Sequence, residues 1–270
     1  MTDKLILQVA PVAGSEPTQH PHAERVALNM IQKTAAKRML QSARDIPQFS
    51  VSMELDADRL AAWRSRINSV SENEGRQVSV TALLIWLVAR TLIDFPRLNA
   101  QFDGEAMLQH KTVNMAVAVD TREGLVAPVI RQAEKLSVYE TDVALKDLAA
   151  RAATKRLSLA DFANATFTIS NLGMLGVKRF TPLINPPQAA IMGVGALQNT
   201  MQRDKDGHLV SVRMIEVTVT ADHRILDGAE VARFLRSLQE NGGNDSGIHG
   251  DTTVSGKAAE KMATLQNSNQ

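Results

Sequence analysis

The sequence of 270 residues predicts a mixed α/β fold, and three observations predict it. Segments with apolar residues at helical spacing alternate along the chain with segments of period two. Helix starts are marked by capping residues at Asp56, Ser79 and Ser137. Two Asp-Gly pairs, Asp103-Gly104 and Asp206-Gly207, join β-type runs as hairpin signals.

Residues 1–24 contain Pro11, Pro17 and Pro21 and are expected to form an extended arm, with Leu5 to Val9 able to pair as an edge strand. His20 and His22 in this arm are expected to be solvated. A first helix is predicted over Leu28 to Ala43, with Leu28, Ile31, Ala35 and Met39 on one face. Lys33, Lys37, Arg38 and Arg44 make it basic, which fits a solvated face or help in holding an anionic ligand. Phe49 to Leu55 alternates as a strand. Asp56 can cap a second helix carrying Leu60, Trp63, Ile67 and Val70, and a polar loop follows from Ser71 to Gln77. Ser79 can cap a third helix from Val80 to about Thr91, whose run Leu83 to Ala89 is apolar all round and should be buried.

Short strands are expected around Asn99–Phe102 and Ala106–Gln109. Val113 to Val119 reads as one strand, with large and small residues on opposite faces. Leu125 to Ile130 reads as another, where Pro128 suggests an edge or a bulge. The pair Ser137 and Glu140 is a capping box opening a helix to about Arg156, with Leu145, Leu148, Ala149 and Ala152 facing inward. Thr166 to Ile169 is a short strand ending in a turn at Ser170-Asn171-Leu172-Gly173. Three prolines exclude regular structure over Thr181 to Pro187. Gln188–Gly195, Gln198–Arg203 and Val210–Thr220 read as strands. A helix begins after Gly228, with Val231, Phe234, Leu235 and Leu238 on one side. Residues 241–270 are polar and glycine-rich and are expected to be a disordered tail, with a marginal helix over Lys257 to Gln266 and no role for His249.

Composition bounds the function. With 44% hydrophobic residues the chain can bury a core in one large domain or two small ones. Its 30 basic and 29 acidic residues leave a net charge of +1, so no nucleic-acid footprint is present. No cysteine is present, which excludes a disulfide framework, a thiolate metal site and a cysteine nucleophile. No apolar run reaches membrane-spanning length. The start, MTDKLILQVAPVAG, has a weak leader character, but Asp3, Gln8 and Pro11 interrupt it, so a cytoplasmic protein is expected.

The chemistry concentrates at VTVTADHRILDGAEVARFL, residues 217–235. If the strand stays extended, His223 is in phase with Val217, Val219 and Ala221 and points to the buried face. An imidazole would then stand at a strand end beside Asp222, Arg224 and Asp227, where its orientation can be fixed. A histidine at a strand end is commonly structural, and Asp-Gly is commonly just a turn, so the local pattern leaves both readings open. A metal is not expected, because Asp222, His223 and Asp227 lack a second histidine or any cysteine nearby.

The run DHRILDG resembles the active-site signature of the acyltransferase component of 2-oxo acid dehydrogenase complexes, and is similar to that of chloramphenicol acetyltransferase. AAKRM followed by Ser42 and Pro47, VNMAVAVDTREGLVAPVI and FTISNLGMLGVKRFTPLINPPQAAIMGVGAL extend the likeness over Arg25 to Leu238. The resemblance implies a chloramphenicol acetyltransferase-like fold, a two-layer mixed sheet with flanking helices, for a catalytic domain over residues 25–240. It implies a homotrimer with the active site between subunits, coenzyme A as substrate, and a dihydrolipoyl arm entering opposite it. It assigns His223 as base, Ser170 as oxyanion donor and Asp227 as support, with Asp222 and Arg224 an ion pair holding the loop. Asn171 and Gly228 lie beside these residues in the two motifs. Without the resemblance, Ser170-Asn171 reads as a turn.

A thiol with pKa ~8.5 is mostly protonated at neutral pH, and a histidine near ~6.5 can accept its proton for roughly 3 kcal/mol. Two substrates can thus meet in a ternary complex with no protein nucleophile. The sequence departs from the family in three ways. The arm before Leu28 is too short for a lipoyl or peripheral-subunit-binding domain, so a lipoyl group is expected from another chain, such as a lipoyl-bearing protein or a 2-oxo acid dehydrogenase component. Gln32 stands where many members have arginine. Gly242-Gly243 and a polar tail replace the apolar end that joins trimers into cages, so assembly is expected to stop at the trimer. A stand-alone enzyme acting on a small-molecule or carrier-protein acceptor, and a purely structural core subunit, remain alternatives at this point.

Overall fold

The computed structural model describes residues 24–71 and 77–242. The expected arm with Leu5–Val9, His20 and His22, most of the polar loop before Gln77, and the tail with His249 and the 257–266 helix lie outside these residues.

Period and capping translate directly into helices. The first, α1 (Met30–Asp45), starts two residues later than expected, because Asn29 and Gln32 form a reciprocal capping box that fixes the start. Leu28 precedes it and is exposed. Asp56 accepts from the Arg59 amide at 3.0 Å at the start of α2 (Ala57–Ser71), which buries Leu60, Trp63 and Ile67. Ser79 caps α3 (Val80–Asp94), and every residue from Ala82 to Ala89 is buried. Ser137 and Glu140 form the expected capping box of α4 (Val138–Ala153), which buries Leu148 and Ala152 and half-buries Leu145 and Ala149. Asp227 caps α5 (Gly228–Asn241), whose Val231, Phe234, Leu235 and Leu238 are wholly buried.

The strands are β1 (Gln48–Asp56), β2 (Ala100–Phe102), β3 (Met107–Gln109), β4 (Met115–Val117), β5 (Val119–Thr121), β6 (Gly124–Val126), β7 (Val129–Ile130), β8 (Phe167–Asn171), β9 (Ala190–Arg203) and β10 (Leu209–Asp222). Six of them make one mixed sheet in the order β1-β10-β9-β8-β4-β7, and β2-β3 and β5-β6 are two small ribbons. β8 runs parallel to both β4 and β9, and the other neighbours are antiparallel.

Three strand expectations change. The run Val113 to Val119 breaks at Ala118: its amide still bonds to the Ile169 carbonyl of β8, but Val119 pairs with Val126, so β4 stays in the main sheet and β5 leaves it. Met115, Ala116 and Val117 are all buried, so the faces of large and of small residues are both covered. Leu125 to Ile130 splits at Pro128 into β6 and β7, and β7 is the sheet edge that a proline tolerates. Conversely, Gln188–Gly195 and Gln198–Arg203 fuse into β9, because a register shift opposite Ile215–Val217 absorbs the interruption.

The sheet has two unlike faces. Val217, Val219, Ala221, Met192 and Ile169 belong to the large core shared with α2, α3 and α5. The opposite face carries Ser50, Ser52, Thr218, Thr220, Thr168 and Ser170. Ser50 bonds Thr220 and Ser52 bonds Thr218, each at 2.8 Å. Part of this polar face is covered by the proline-rich stretch after β8: Phe180 and Pro182 lie against Gly193, and Ile184 packs with Ile46 and Ile191.

Candidate active site

His223 follows the last residue of β10, and the chain turns there rather than continuing extended. Val217, Val219 and Ala221 are buried as expected, but His223 is exposed, which corrects its expected burial. The turn explains the difference: the amides of Ile225 and Leu226 both bond to the Asp222 carbonyl, at 3.2 and 3.0 Å. Ile225 and Leu226 anchor the turn in the core. The imidazole stands out from this base. Its backbone amide donates to the Pro47 carbonyl at 2.9 Å, and its ring lies 4.6 Å from the Phe49 ring at 51°. A ring fixed on one side by an aromatic side chain and open on the other can exchange a proton with an incoming ligand.

The neighbours of the imidazole are held tightly. Asp222 is buried, and Arg224 reaches back to it through Nη2 at 2.7 Å and Nε at 2.9 Å. The Asp222 carboxylate raises the Arg224 pKa above its ordinary value, and the guanidinium also lies 4.3 Å above the Phe102 ring. Asp222 and Arg224 thus satisfy each other rather than reaching toward the imidazole. Asp227 is exposed and accepts from the Glu230 amide at 2.8 Å. That backbone bond, before all else, holds its carboxyl below the ordinary value, with smaller contributions from Arg233 and Arg97. Gly228 opens α5, and a Cβ there would meet only Phe49 at 4.0 Å, so packing within the chain does not demand a glycine. Gln32 uses its side-chain oxygen to cap its own helix, accepting from the Asn29 amide at 3.0 Å.

Ser170 lies inside β8, not in a turn: the strand continues through Asn171, because both residues pair with β9, at Gly193 and Val194. It is buried, and its hydroxyl has no hydrogen-bond partner among the described residues. Asn171 ties the strand end to α3 through Thr81 Oγ1 at 3.2 Å and accepts from the Gly173 amide at 2.9 Å. The strand register then separates the two proposed site residues. Ser170 pairs with Gly193, and Gly193 with Thr218. His223 stands five residues beyond Thr218, roughly 17 Å along the strand, and two strand spacings, roughly 10 Å, to the side. One copy of this chain cannot place both on a single reacting carbon.

Sequence reading gave no site role to Pro47, Phe49 or Arg97. Phe49 pairs across the sheet with Ala221, a non-local register that no local pattern announces. Arg97 Nη2 donates to the Ile225 carbonyl at 2.5 Å, and Nη1 pairs with Glu230 at 3.1 Å. An arginine just after a helix-ending proline carries no signal of such a role.

The catalytic-domain model of the 2-oxoacid dehydrogenases acyltransferase family matches residues 20–241. The chain belongs to this family. Among curated relatives of this acyltransferase domain, the dihydrolipoyllysine-residue acetyltransferase component of the pyruvate dehydrogenase complex of Rickettsia felis is 38% identical over 213 residues, 78% of this chain and 52% of that protein. The corresponding component of Rhizobium meliloti is 35% identical over 230 residues, 83% of this chain and 51% of that protein. The chain therefore spans about half the length of the curated relatives it matches. The solved dihydrolipoamide acetyltransferase of Azotobacter vinelandii superposes with a TM-score of 0.80 at 30% identity, covering 89% of this acyltransferase domain chain and 99% of that one. A crystal structure from Listeria monocytogenes, named a probable dihydrolipoamide acetyltransferase, gives 0.77 at 30%, covering 82% and 95%. Among the described residues, no helix of this acyltransferase domain is long and apolar enough to cross a membrane.

Proposed function

We propose that this chain transfers an acyl group between coenzyme A and a dihydrolipoyl-type thiol carried by another chain, in the cytoplasm, with residues 25–240 as the catalytic domain. Its site is assembled between copies of a homotrimer: His223 of one copy and Ser170 of the next. The observation that carries this reading is the separation of the two residues within one chain, each presented for work. The imidazole stands open on a braced turn, and the serine hydroxyl is unpartnered on a rigid strand. The Azotobacter vinelandii structure concerns the roles of a serine, a histidine and an asparagine in its catalytic mechanism, the last two four residues apart. His223 and Asp227 have that same spacing.

The steps follow from these residue types. His223 takes the proton of the attacking thiol as its sulfur forms a bond to the thioester carbon. The carbonyl electrons move to oxygen, where the Ser170 hydroxyl donates a hydrogen bond to the developing charge. As the carbonyl re-forms, the bond to the departing sulfur breaks, and the imidazolium returns the proton to that thiolate. Asp222 and Arg224, neutralising each other, hold the turn so that the ring is already placed when substrate arrives.

The test is a spectroscopic thiol assay with acetyl-CoA and free dihydrolipoamide. Wild type is expected to turn over, and His223→Ala to lose turnover to background. Ser170→Ala is expected to lower kcat by about 10²–10³. A folded wild type inert with this pair but active with another thiol or amine acceptor would overturn the dihydrolipoyl assignment. Full activity in His223→Ala would overturn the mechanism.

A further inference from the structure

We infer that Arg97 is a positioning residue for the His223 turn, an inference that rests on the acyl-transfer reading above. The turn from Asp222 to Asp227 is the only covalent link between the imidazole and α5, and its middle must hold still if the ring is to stay placed. Asp222 and Arg224 brace its start, and the Asp227 cap braces its end. The Ile225 carbonyl at its centre is held by Arg97 Nη2 at 2.5 Å. The other nitrogen of the same guanidinium pairs with Glu230 at 3.1 Å, in the first turn of α5. Glu230 is also the residue whose amide Asp227 caps. One planar fork therefore joins the middle of the turn to the helix start that follows it.

Arg97 is itself well placed for this. It follows Pro96 at the exit of α3, where the Phe95 amide and the Leu98 amide close the chain into a tight bend, with bonds to the carbonyls of Leu92 and Phe95 at 3.1 and 3.0 Å. Its Nε is buried without a hydrogen-bond partner while 42% of the side chain stays accessible, so the guanidinium reaches the turn from the edge of the protein. The Glu230 carboxylate is nearly buried, with 11% of its side chain accessible, and Arg97 is the cation it faces. Lysine could supply the charge for the Glu230 ion pair but not also the hydrogen bond to the Ile225 carbonyl, because an ammonium lacks a second nitrogen held in the same plane.

The experiment measures kcat and both KM values of Arg97→Ala and Arg97→Lys with acetyl-CoA and dihydrolipoamide, beside wild type and His223→Ala. Melting curves are taken on the same samples, and assays are run well below every melting temperature. Arg97→Ala is expected to lower kcat about 10- to 100-fold with both KM values within about twofold, since a displaced base loses rate without losing binding. Arg97→Lys is expected to recover part of that loss. A lowered melting temperature with wild-type kcat in either variant would overturn the inference, leaving Arg97 a stabilising residue only. If Arg97→Ala does not fold, Arg97→Lys decides alone: wild-type kcat there overturns the inference, and a severalfold kcat loss at unchanged KM supports it. Absence of turnover in wild type would instead be a failure of the acyl-transfer reading, and is read separately from the variants.

Discussion

The imidazole of His223 gains its freedom from where the strand stops. One more extended residue would have sent it into the core beside Val217, Val219 and Ala221; the turn after Asp222 sends it outward instead, against Phe49. Phe49→Ala removes the ring that, among the described residues, lies against it. It is expected to lower kcat severalfold while leaving the protein folded, checked by the thiol assay and a melting curve. Titration of single residues also sets the stability profile. Burial depresses the pKa of His110, so its neutral form is favoured in the fold. Backbone amides depress the carboxyls of Asp58, Asp103, Asp161 and Asp227, with Arg213, Ala106, Ser158 and Glu230 the leading donors. For a depressed group, the stabilisation is complete above the unfolded pKa and is lost as pH falls through the folded one. The melting temperature is thus expected to begin falling below about pH 6.5 with His110, and more steeply below about pH 4 with the aspartates. Scanning calorimetry from pH 8 to pH 3 checks this, and His110→Gln should remove the first decline but not the second.

Elements whose signal is local were legible in the sequence, and elements whose limits are set by partners were not. Ser79, Asp56 and the Ser137-Glu140 pair announce their helices because a cap satisfies amides within one turn. Strand ends carry no such mark. Ala118 keeps its amide on the Ile169 carbonyl of β8, fifty-one residues away, and the chain leaves the sheet only at Val119, which pairs with Val126 instead. Ser170 and Asn171 read as a turn yet remain strand because β9 pairs with them. Gly195 shows the same dependence. A Cβ there would lie 2.0 Å from the Lys178 carbonyl oxygen, so the chain after β8 can cross β9 only over a glycine. Gly195→Ala is expected to destabilise by about 2–3 kcal/mol or to prevent folding, because the obstacle is backbone and cannot rotate away. Gly228→Ala, at the exposed start of α5, is expected to be neutral or to stabilise by roughly 0.5 kcal/mol. Urea midpoints of the two variants, measured side by side, check the contrast.

At the scale of the molecule, the candidate site is the feature that a single chain leaves incomplete. The residue types were legible, since a histidine, a serine and two aspartates stand in recognisable runs. Their distance apart was not, because it follows from the strand order β1-β10-β9-β8, which brings Gln48 beside Asp222 and Ser170 beside Gly193 across long stretches of sequence. With Ser170 and His223 two strands and five residues apart in register, the thioester proposed to lie between them requires two copies, and a closed ring of three would supply three equivalent junctions. Such a trimer has a mass of about 88 kDa from chains of 29.4 kDa. Light scattering is expected to find that mass, and a cage many times larger would contradict an assembly that stops at the trimer. Complementation then tests the shared site directly. His223→Ala and Ser170→Ala trimers are each expected to be nearly inactive. When the two are unfolded together and refolded as an equal mixture, about one junction in four pairs an intact His223 with an intact Ser170 from the neighbouring copy. Activity should therefore rise to about a quarter of the wild-type value. If both residues served one site within a single copy, no mixture would contain an intact site, and the refolded mixture would stay as inactive as its parents.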